Sequence, residues 1–330
     1  MKTGTLVTAV AVVAIGTFAL GGSACTGFAV YADHVLYGMN FDYPPSEVRF
    51  WIEEHEVGSV FFGGFRMGGS FARTVGMNER GLFASDQMVF PARGVVDRAD
   101  EDEVFIWNAF YDGLRTCATV DDVVAWIGDR RLVQYEDPQL HNLYADPSGA
   151  AMVVESSDDG NVLTQIDGAF LVMTNFHNGD FVGLPLDEVD GVGADRYRIA
   201  WSYIDGHLEG FDVDRAFETL RRAAIPSGEF TTQFSVVFDP EALEVFVALE
   251  RDYDHVWKAS LETGTIETYR GFDEHVVLPL DPSGVSGAIL QGYVAAATPV
   301  SEEVRGPRWP ILALIGAGVL GVVVVLAVRD

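Results

Sequence analysis

A chain of 330 residues with 48% apolar content has ample material for a sizeable core. Its charge is one-sided: 49 Asp and Glu stand against 21 Lys and Arg, a formal net of −28, and Lys2 and Lys258 are the only lysines. That field excludes nucleic acid as a partner, since phosphate binding needs the opposite sign, and the acids are spread along the chain rather than gathered in a disordered tail. Self-repulsion of this size is relieved at molar salt, where the Debye length falls to about 3 Å. The composition therefore matches a protein of a salt-loving organism; a high-GC genome that favours Arg over Lys would give the same bias.

Lys2 is followed by an almost unbroken apolar run over residues 6–20, then by small residues, with Gly22 and Ala24 at the third and first positions before Cys25. This is the layout of a secretory signal peptide (1–24) cleaved after Ala24. Cleavage would leave Cys25 with both a thiol and a free α-amine, whose unperturbed pKa of roughly 7.7–8.0 makes it a base beside its own nucleophile. Three other readings of Cys25 stand beside that one. It could be lipidated, although such sites prefer Leu or a similar residue where Gly22 stands; it could pair with Cys117, the only other cysteine; or it could be a small buried hydrophobe.

Short β-type runs follow. Residues 28–31 and 35–37 read as a hairpin opening directly from Cys25, and 50–56, 59–62, 73–75 and 82–90 read as further strands. A helix is predicted over 104–114, with Val104, Trp107, Phe110 and Leu114 on one face. A second begins at Thr119 as N-cap, with Asp121 and Asp122 in its first turn, and runs to about Ile127; Cys117 between them reads as a packed structural thiol. Strands are predicted at 143–144, 151–155, 162–165 and 170–173, helices at 194–203 and 213–223, and strands at 234–238, 245–249 and 256–261. Strand blocks alternating with helix pairs, without an internal repeat, give an α+β class with two sheets stacked between helical layers. Residues 25–295 form that domain, 296–309 have linker composition, and 310–328 form an uncharged stretch long enough for a transmembrane helix. The resulting expectation is a single-pass membrane protein with its catalytic domain outside the cell. The seven histidines show no metal-ligand spacing and read as surface and strand-end residues; no phosphate loop is present, and neither cofactor nor metal is expected.

The ordered motifs go further. They are Cys25-Thr26-Gly27, Gly38-x-Asn40-x-Asp42, Gly76-Met77-Asn78-Glu79-Arg80-Gly81-Leu82, Asp146-x-x-Gly149 before Val153-Val154-Glu155, Met173-Thr174-Asn175, Asp195-Arg196-Tyr197 and Thr231-Thr232-Gln233-Phe234-Ser235. In this order and spacing the chain resembles the choloylglycine hydrolase and penicillin V acylase family, cysteine-type N-terminal nucleophile (Ntn) hydrolases of linear amides, over about residues 25–280. The resemblance implies an αββα sandwich and an amidase acting on a small-molecule N-acyl amide. It implies Cys25 as nucleophile and, through its amine, base; Asp42 as the group holding amine and thiol in register; Asn175 as oxyanion donor; Arg196 as the cation favouring the thiolate; and Gln87 as a second oxyanion contact. Many members carry Arg where this chain has Met39, which leaves Arg196 as the main nearby cation. Acyl transfer of the acyl-CoA:isopenicillin type shares the first half-reaction and stands as an alternative, as does a catalytically inactive surface-binding domain. The aromatics Phe28, Phe41, Tyr43, Phe50, Trp51, Phe61, Phe62 and Phe65 are candidates for an apolar acyl pocket. Neutral aryl- or fatty-acyl amides are then expected to be better substrates than taurine conjugates.

Overall fold

A computed structural model describes residues 25–297. The expected signal peptide, the transmembrane stretch and all but the first two residues of the expected linker lie outside the described residues. Among those described, no helix is long and apolar enough to cross a membrane.

The chain begins with β1 (Thr26–Tyr31) and β2 (Val35–Tyr43), the hairpin expected beside Cys25, and continues through β3 (Val48–His55), β4 (Gly58–Met67), β5 (Ser70–Asn78) and β6 (Phe83–Met88). A short parallel pair, β7 (Glu103–Phe105) and β8 (Arg131–Val133), brackets α1 (Ile106–Thr116) and α2 (Val120–Ile127). Then come β9 (Leu140–Ala145), β10 (Ala151–Ser157), β11 (Gly160–Gln165), β12 (Phe170–Met173), α3 (Ala194–Asp205) and α4 (Val213–Ala223). β13 (Thr231–Asp239), β14 (Glu244–Leu249), β15 (Val256–Ser260), β16 (Thr265–Arg270), β17 (Val277–Pro279), β18 (Val285–Ser286) and α5 (Gly287–Ala297) complete the described chain.

Two eight-stranded antiparallel sheets result, in the orders β12-β1-β2-β13-β14-β15-β16-β17 and β11-β10-β9-β6-β5-β4-β3-β18. Their facing surfaces enclose the largest apolar cluster, to which Ala29, Tyr37, Met39 and Phe41 contribute from the first sheet and Phe50, Phe61, Phe83 and Leu143 from the second. The outer face of the first sheet is covered by α3 and α4 through Phe28, Val30, Ala200, Ile204 and Phe217. That of the second is covered by α1 and α2 through Phe62, Ala84, Phe110, Leu114 and Val123. Each such fully buried Phe, Leu or Val contributes about 1.5–3 kcal/mol relative to exposure. The layers are therefore helix pair, sheet, sheet, helix pair, as the sequence leads one to expect.

β2 explains why a central strand here reads without polar alternation. It lies between β1 and β13 with both faces covered, so Tyr37, Met39 and Phe41 enter the inter-sheet core while Asn40 turns outward. The Asn40 amide then donates to the Leu220 carbonyl of α4 at 2.7 Å. A Cβ on Gly38 would fall 2.3 Å from the Phe28 ring, so glycine is what lets that ring lie flat on the strand.

Two of the sequence motifs turn out to be joints. Asn78 accepts hydrogen bonds from the backbone of Arg80 and Leu82 and donates to the carbonyls of Leu114 and Cys117, tying the β5–β6 turn to the end of α1. Asp146 accepts from the Val120 N–H at 2.6 Å and from Ser148, fixing the start of α2 on the sheet. Cys117 is a buried free thiol, and so is Cys25, so the two are not paired.

Several boundaries differ from expectation. β2 runs on to Tyr43 because β13 continues to pair with it as far as Thr231, beyond Asn40 where the pairing with β1 ends. Val104 and Phe105 belong to β7, so α1 starts at Ile106. The strands β16, β17 and β18 and the helix α5 were not anticipated. β16 buries only Ile266 fully, and β17 and β18 are two or three residues long, so they leave little pattern. α5 takes in Ala296 and Ala297, the first residues assigned to the linker, and sends Leu290 into the inter-sheet core.

Candidate active site

Cys25 stands immediately before β1, 3% exposed, with its side chain in the inter-sheet cluster. It borders a cavity of about 870 Å³ whose walls include Phe41, Tyr43, Phe65, Met88, Trp107 and Phe110. Of the aromatics proposed for an acyl pocket, Phe41, Tyr43 and Phe65 line it. Phe28 packs toward α3 and α4, Phe50 and Phe61 fill the inter-sheet core, and Trp51 and Phe62 lie under α1.

Arg196 ties the site together. It sits in the first turn of α3, 7% exposed, and its Nη1 donates to the Cys25 carbonyl at 2.5 Å and to the Thr26 hydroxyl at 2.9 Å. Its Nη2 donates to Asn175 Oδ1 at 2.8 Å, and Nη1 lies 3.9 Å from Asp42 Oδ2. The helix can begin this close because Gly193, at φ 81°, precedes it: a Cβ there would fall 2.4 Å from Arg196 Nη2.

Asp42 is wholly buried near the end of β2 and accepts a hydrogen bond from the Thr232 hydroxyl at 2.5 Å. Burial drives its carboxyl up to about 7, against the lowering pull of Arg196, Thr232 and Arg251. The thiol of Cys25 is pushed up to about 12. Burial is the main cause and the charge of Asp42 adds to it, while a backbone hydrogen bond at Asp42 and the charge of Arg196 act the other way. A thiol in that state does not ionise unaided at neutral pH, so its chemistry needs a base within reach. Met39 is fully buried in the apolar inter-sheet cluster and supplies no charge.

Asn175 follows β12. Because its Oδ1 receives Arg196, its Nδ2 must face the other way, where it donates to the Met88 carbonyl at 2.6 Å; an amide nitrogen carries a second hydrogen for another acceptor. The Asn175 carbonyl accepts from the Phe90 N–H at 2.8 Å. Gln87 lies apart from this arrangement. Its amide donates to Ser85 Oγ at 3.1 Å and rests against Gly27, and its strand neighbours Asp86 and Met88 are the ones that reach the cavity.

Behind Asn175 is a buried cluster that spacing alone does not reveal. His141 and His177, read from sequence as surface or strand-end residues, are 0% and 3% exposed. Each has Nδ1 3.3 Å from Glu155 Oε1. Since a carbonyl can only accept, His141 Nε2–H donates to Thr174 and His177 Nε2–H to Pro91, both at 2.7 Å. Glu155 also accepts the N–H groups of Asn178 and Gly179. Burial alone would raise its carboxyl; the hydrogen bonds from His141 and His177 lead the opposing effects and hold it at about 2. The cluster clamps the segment that carries Asn175. Thr26, Thr232 and Glu155 all lie in motifs noted in the sequence, but nothing in their spacing announces their partners. Among the described residues no group of His, Cys, Asp and Glu could hold a metal ion.

The architecture is shared with solved structures. A mutant of conjugated bile acid hydrolase from Clostridium perfringens matches with a TM-score of 0.55 at 15% identity, covering 74% of this chain and 96% of that one. Penicillin V acylase from Agrobacterium tumefaciens matches with a TM-score of 0.55 at 20% identity, covering 74% and 90%. No protein-family model and no curated protein matches the sequence. The chain has the fold of these two proteins, and the parts played by its own residues rest on their geometry.

Proposed function

We propose that this chain is an Ntn amidase that hydrolyses the C–N bond of a linear N-acyl amide through an acyl-enzyme on Cys25. The observation that carries the reading is the linkage of Cys25, Asp42 and Asn175 through Arg196, with Cys25 bordering a largely apolar cavity, on the fold of two amide-cleaving enzymes. Cleavage after Ala24 would convert the peptide nitrogen of Cys25 into an α-amine. That amine takes the thiol proton as Sγ attacks the substrate carbonyl carbon. The second hydrogen of Asn175 Nδ2 is offered to the oxyanion, whose charge is greatest in the tetrahedral state. Arg196 holds the Cys25–Thr26 backbone and Asn175 in place, and Asp42 keeps amine and thiol in register. Collapse breaks the C–N bond, the leaving amine takes the proton from the α-ammonium, and a thioester remains on Cys25. Water deprotonated by the α-amine attacks it, releasing the acid and restoring the thiol.

The apolar walls suit an aryl or fatty acyl group. Arg73 lines the same cavity, but its guanidinium is paired with Glu53 at 2.5 Å and offers little to an anionic leaving amine. Neutral acyl amides are accordingly the favoured substrates over taurine conjugates. Exposure to a chromogenic N-acyl p-nitroanilide followed by acid quench should leave the acyl mass on the Cys25 peptide and none on Cys117; acyl mass absent from Cys25 during turnover would overturn the mechanism.

The domain is proposed to be exported and held at the cell surface by residues 310–328, a reading supported by their uncharged composition and by the leader-like residues 1–24. Truncation after Pro307 should release an active enzyme to the medium, and retention in the membrane fraction would count against this anchor.

A further inference from the structure

β6 places one acid in an unusual position. Ala84 packs under α1 and α2, and Asp86, two residues on, lines the cavity together with Trp107, Phe110 and Tyr111 of α1. Asp86 is 8% exposed, whereas Asp137, the other acid in the lining, is exposed. Its register partner on β9, Asn142, donates Nδ2 to Asp86 Oδ1 at 2.9 Å. No Arg, Lys or His among the described residues hydrogen-bonds to it. An ionised carboxylate so placed would be desolvated without a counter-ion, which costs several kcal/mol. Burial accordingly drives Asp86 well above the usual carboxylate range, with only the Asn142 contact opposing it. With Oδ1 accepting from Asn142, the proton belongs on Oδ2, and a neutral acid in an apolar cavity is a donor that needs an acceptor. The acid also shares its cavity with the nucleophile, since Cys25 lines the same walls.

We infer that Asp86 is a specificity residue that donates a hydrogen bond to an oxygen carried on the acyl chain, so that the preferred acyl groups bear a hydroxy, keto or ether oxygen close to the carbonyl rather than being plain hydrocarbon. The inference rests on the amidase reading for its substrate class. It places the oxygen on the acyl side because the apolar walls that Asp86 shares with Phe110 and Phe65 accept a hydrocarbon body. A site built to satisfy a substrate oxygen disfavours the analogue that lacks it, because the buried donor is then left unpaired.

The test uses two amides differing by one atom, N-phenoxyacetyl- and N-(3-phenylpropanoyl)-p-nitroanilide, in which an ether oxygen is replaced by methylene. The kcat/KM ratio within each protein is the readout, which cancels differences in the fraction folded. The unaltered enzyme should favour the ether by about tenfold. Asp86→Asn keeps both an acceptor for Asn142 and a donor for the substrate, and should retain the preference; Asp86→Leu should bring the ratio to about one. Calorimetric Kd values for the same amides on the full-length Cys25→Ala variant, with and without Asp86→Leu, read the discrimination without turnover. A ratio near one in the unaltered enzyme, an unchanged ratio in Asp86→Leu, or equal Kd values in Cys25→Ala would overturn the inference. If the Kd difference is present and depends on Asp86 while neither amide is hydrolysed, the amidase reading falls and the assignment of Asp86 stands.

Discussion

Glu155 keeps its charge in a place almost without water because two imidazoles and two backbone N–H groups face it. Its folded pKa lies below the unfolded one, so the folded state binds fewer protons there. The associated stability is present above the ordinary glutamate value of 4.5 and is lost as pH falls toward about 2. Glu155→Gln is expected to cost on the order of 3 kcal/mol at pH 7. Melting curves of the two proteins should draw together as pH is lowered through that window; a gap that stays constant would show that the charge is not what stabilises the cluster. The same variant should lower kcat more than it raises KM, because His141 holds the carbonyl of Thr174 next to Asn175 rather than touching the cavity. At this scale the sequence is readable where a residue sits in an ordered motif, as Cys25, Asp42, Asn175 and Arg196 do. His141, His177 and Asp86 belong to no such motif. Their significance comes from partners 14, 22 and 56 residues away, distances that only the sheet pairing closes.

Among the elements, α2 was the most legible because its start is fixed by local chemistry. Thr119 accepts from the Asp122 N–H at 3.1 Å and Asp122 reaches back to the Thr119 N–H at 3.1 Å, a reciprocal cap that the sequence announces by residue type and spacing. Asp146 satisfies a different N–H of the same turn, that of Val120, so the two caps are independent. Thr119→Ala should therefore cost about 1 kcal/mol, lowering Tm by about 2–4 °C in a domain of this size. A loss no larger than that of a neutral surface substitution would mean that Asp146 alone anchors the helix. The β1–β2 hairpin was equally legible from its turn. The lengths of β2 and β13 were not, since a strand covered on both faces continues for as long as a neighbour pairs with it. α5 escaped notice because its run of small and apolar residues, Gly-Ala-Ile-Leu-Gln-Gly-Tyr-Val-Ala-Ala-Ala, carries no strong polar face.

For the molecule as a whole, the charge of −28 is the dominant long-range term. Exposed pairs such as Arg221 and Arg222 with Glu218 are each worth about 0–1 kcal/mol and are weakened by salt. The acids outnumber the bases 49 to 21, however, so screening removes more repulsion than attraction. Tm should rise between dilute buffer and molar KCl, and a flat or falling Tm would show that the acidity reflects composition alone. The central claim concerns Cys25, whose thiol is pushed up to about 12 by burial and whose own nitrogen has no basicity while it is a peptide nitrogen. The most direct measurement compares turnover of an N-acyl p-nitroanilide by two preparations verified by intact mass, one beginning at Cys25 and one retaining Ala24 in front of it. The account predicts that the form beginning at Cys25 is active and that the extended form is slower by about 10²–10⁴-fold, the usual worth of a positioned general base. Equal turnover by the extended form, with Ala24 still present at the end of the assay, would contradict it.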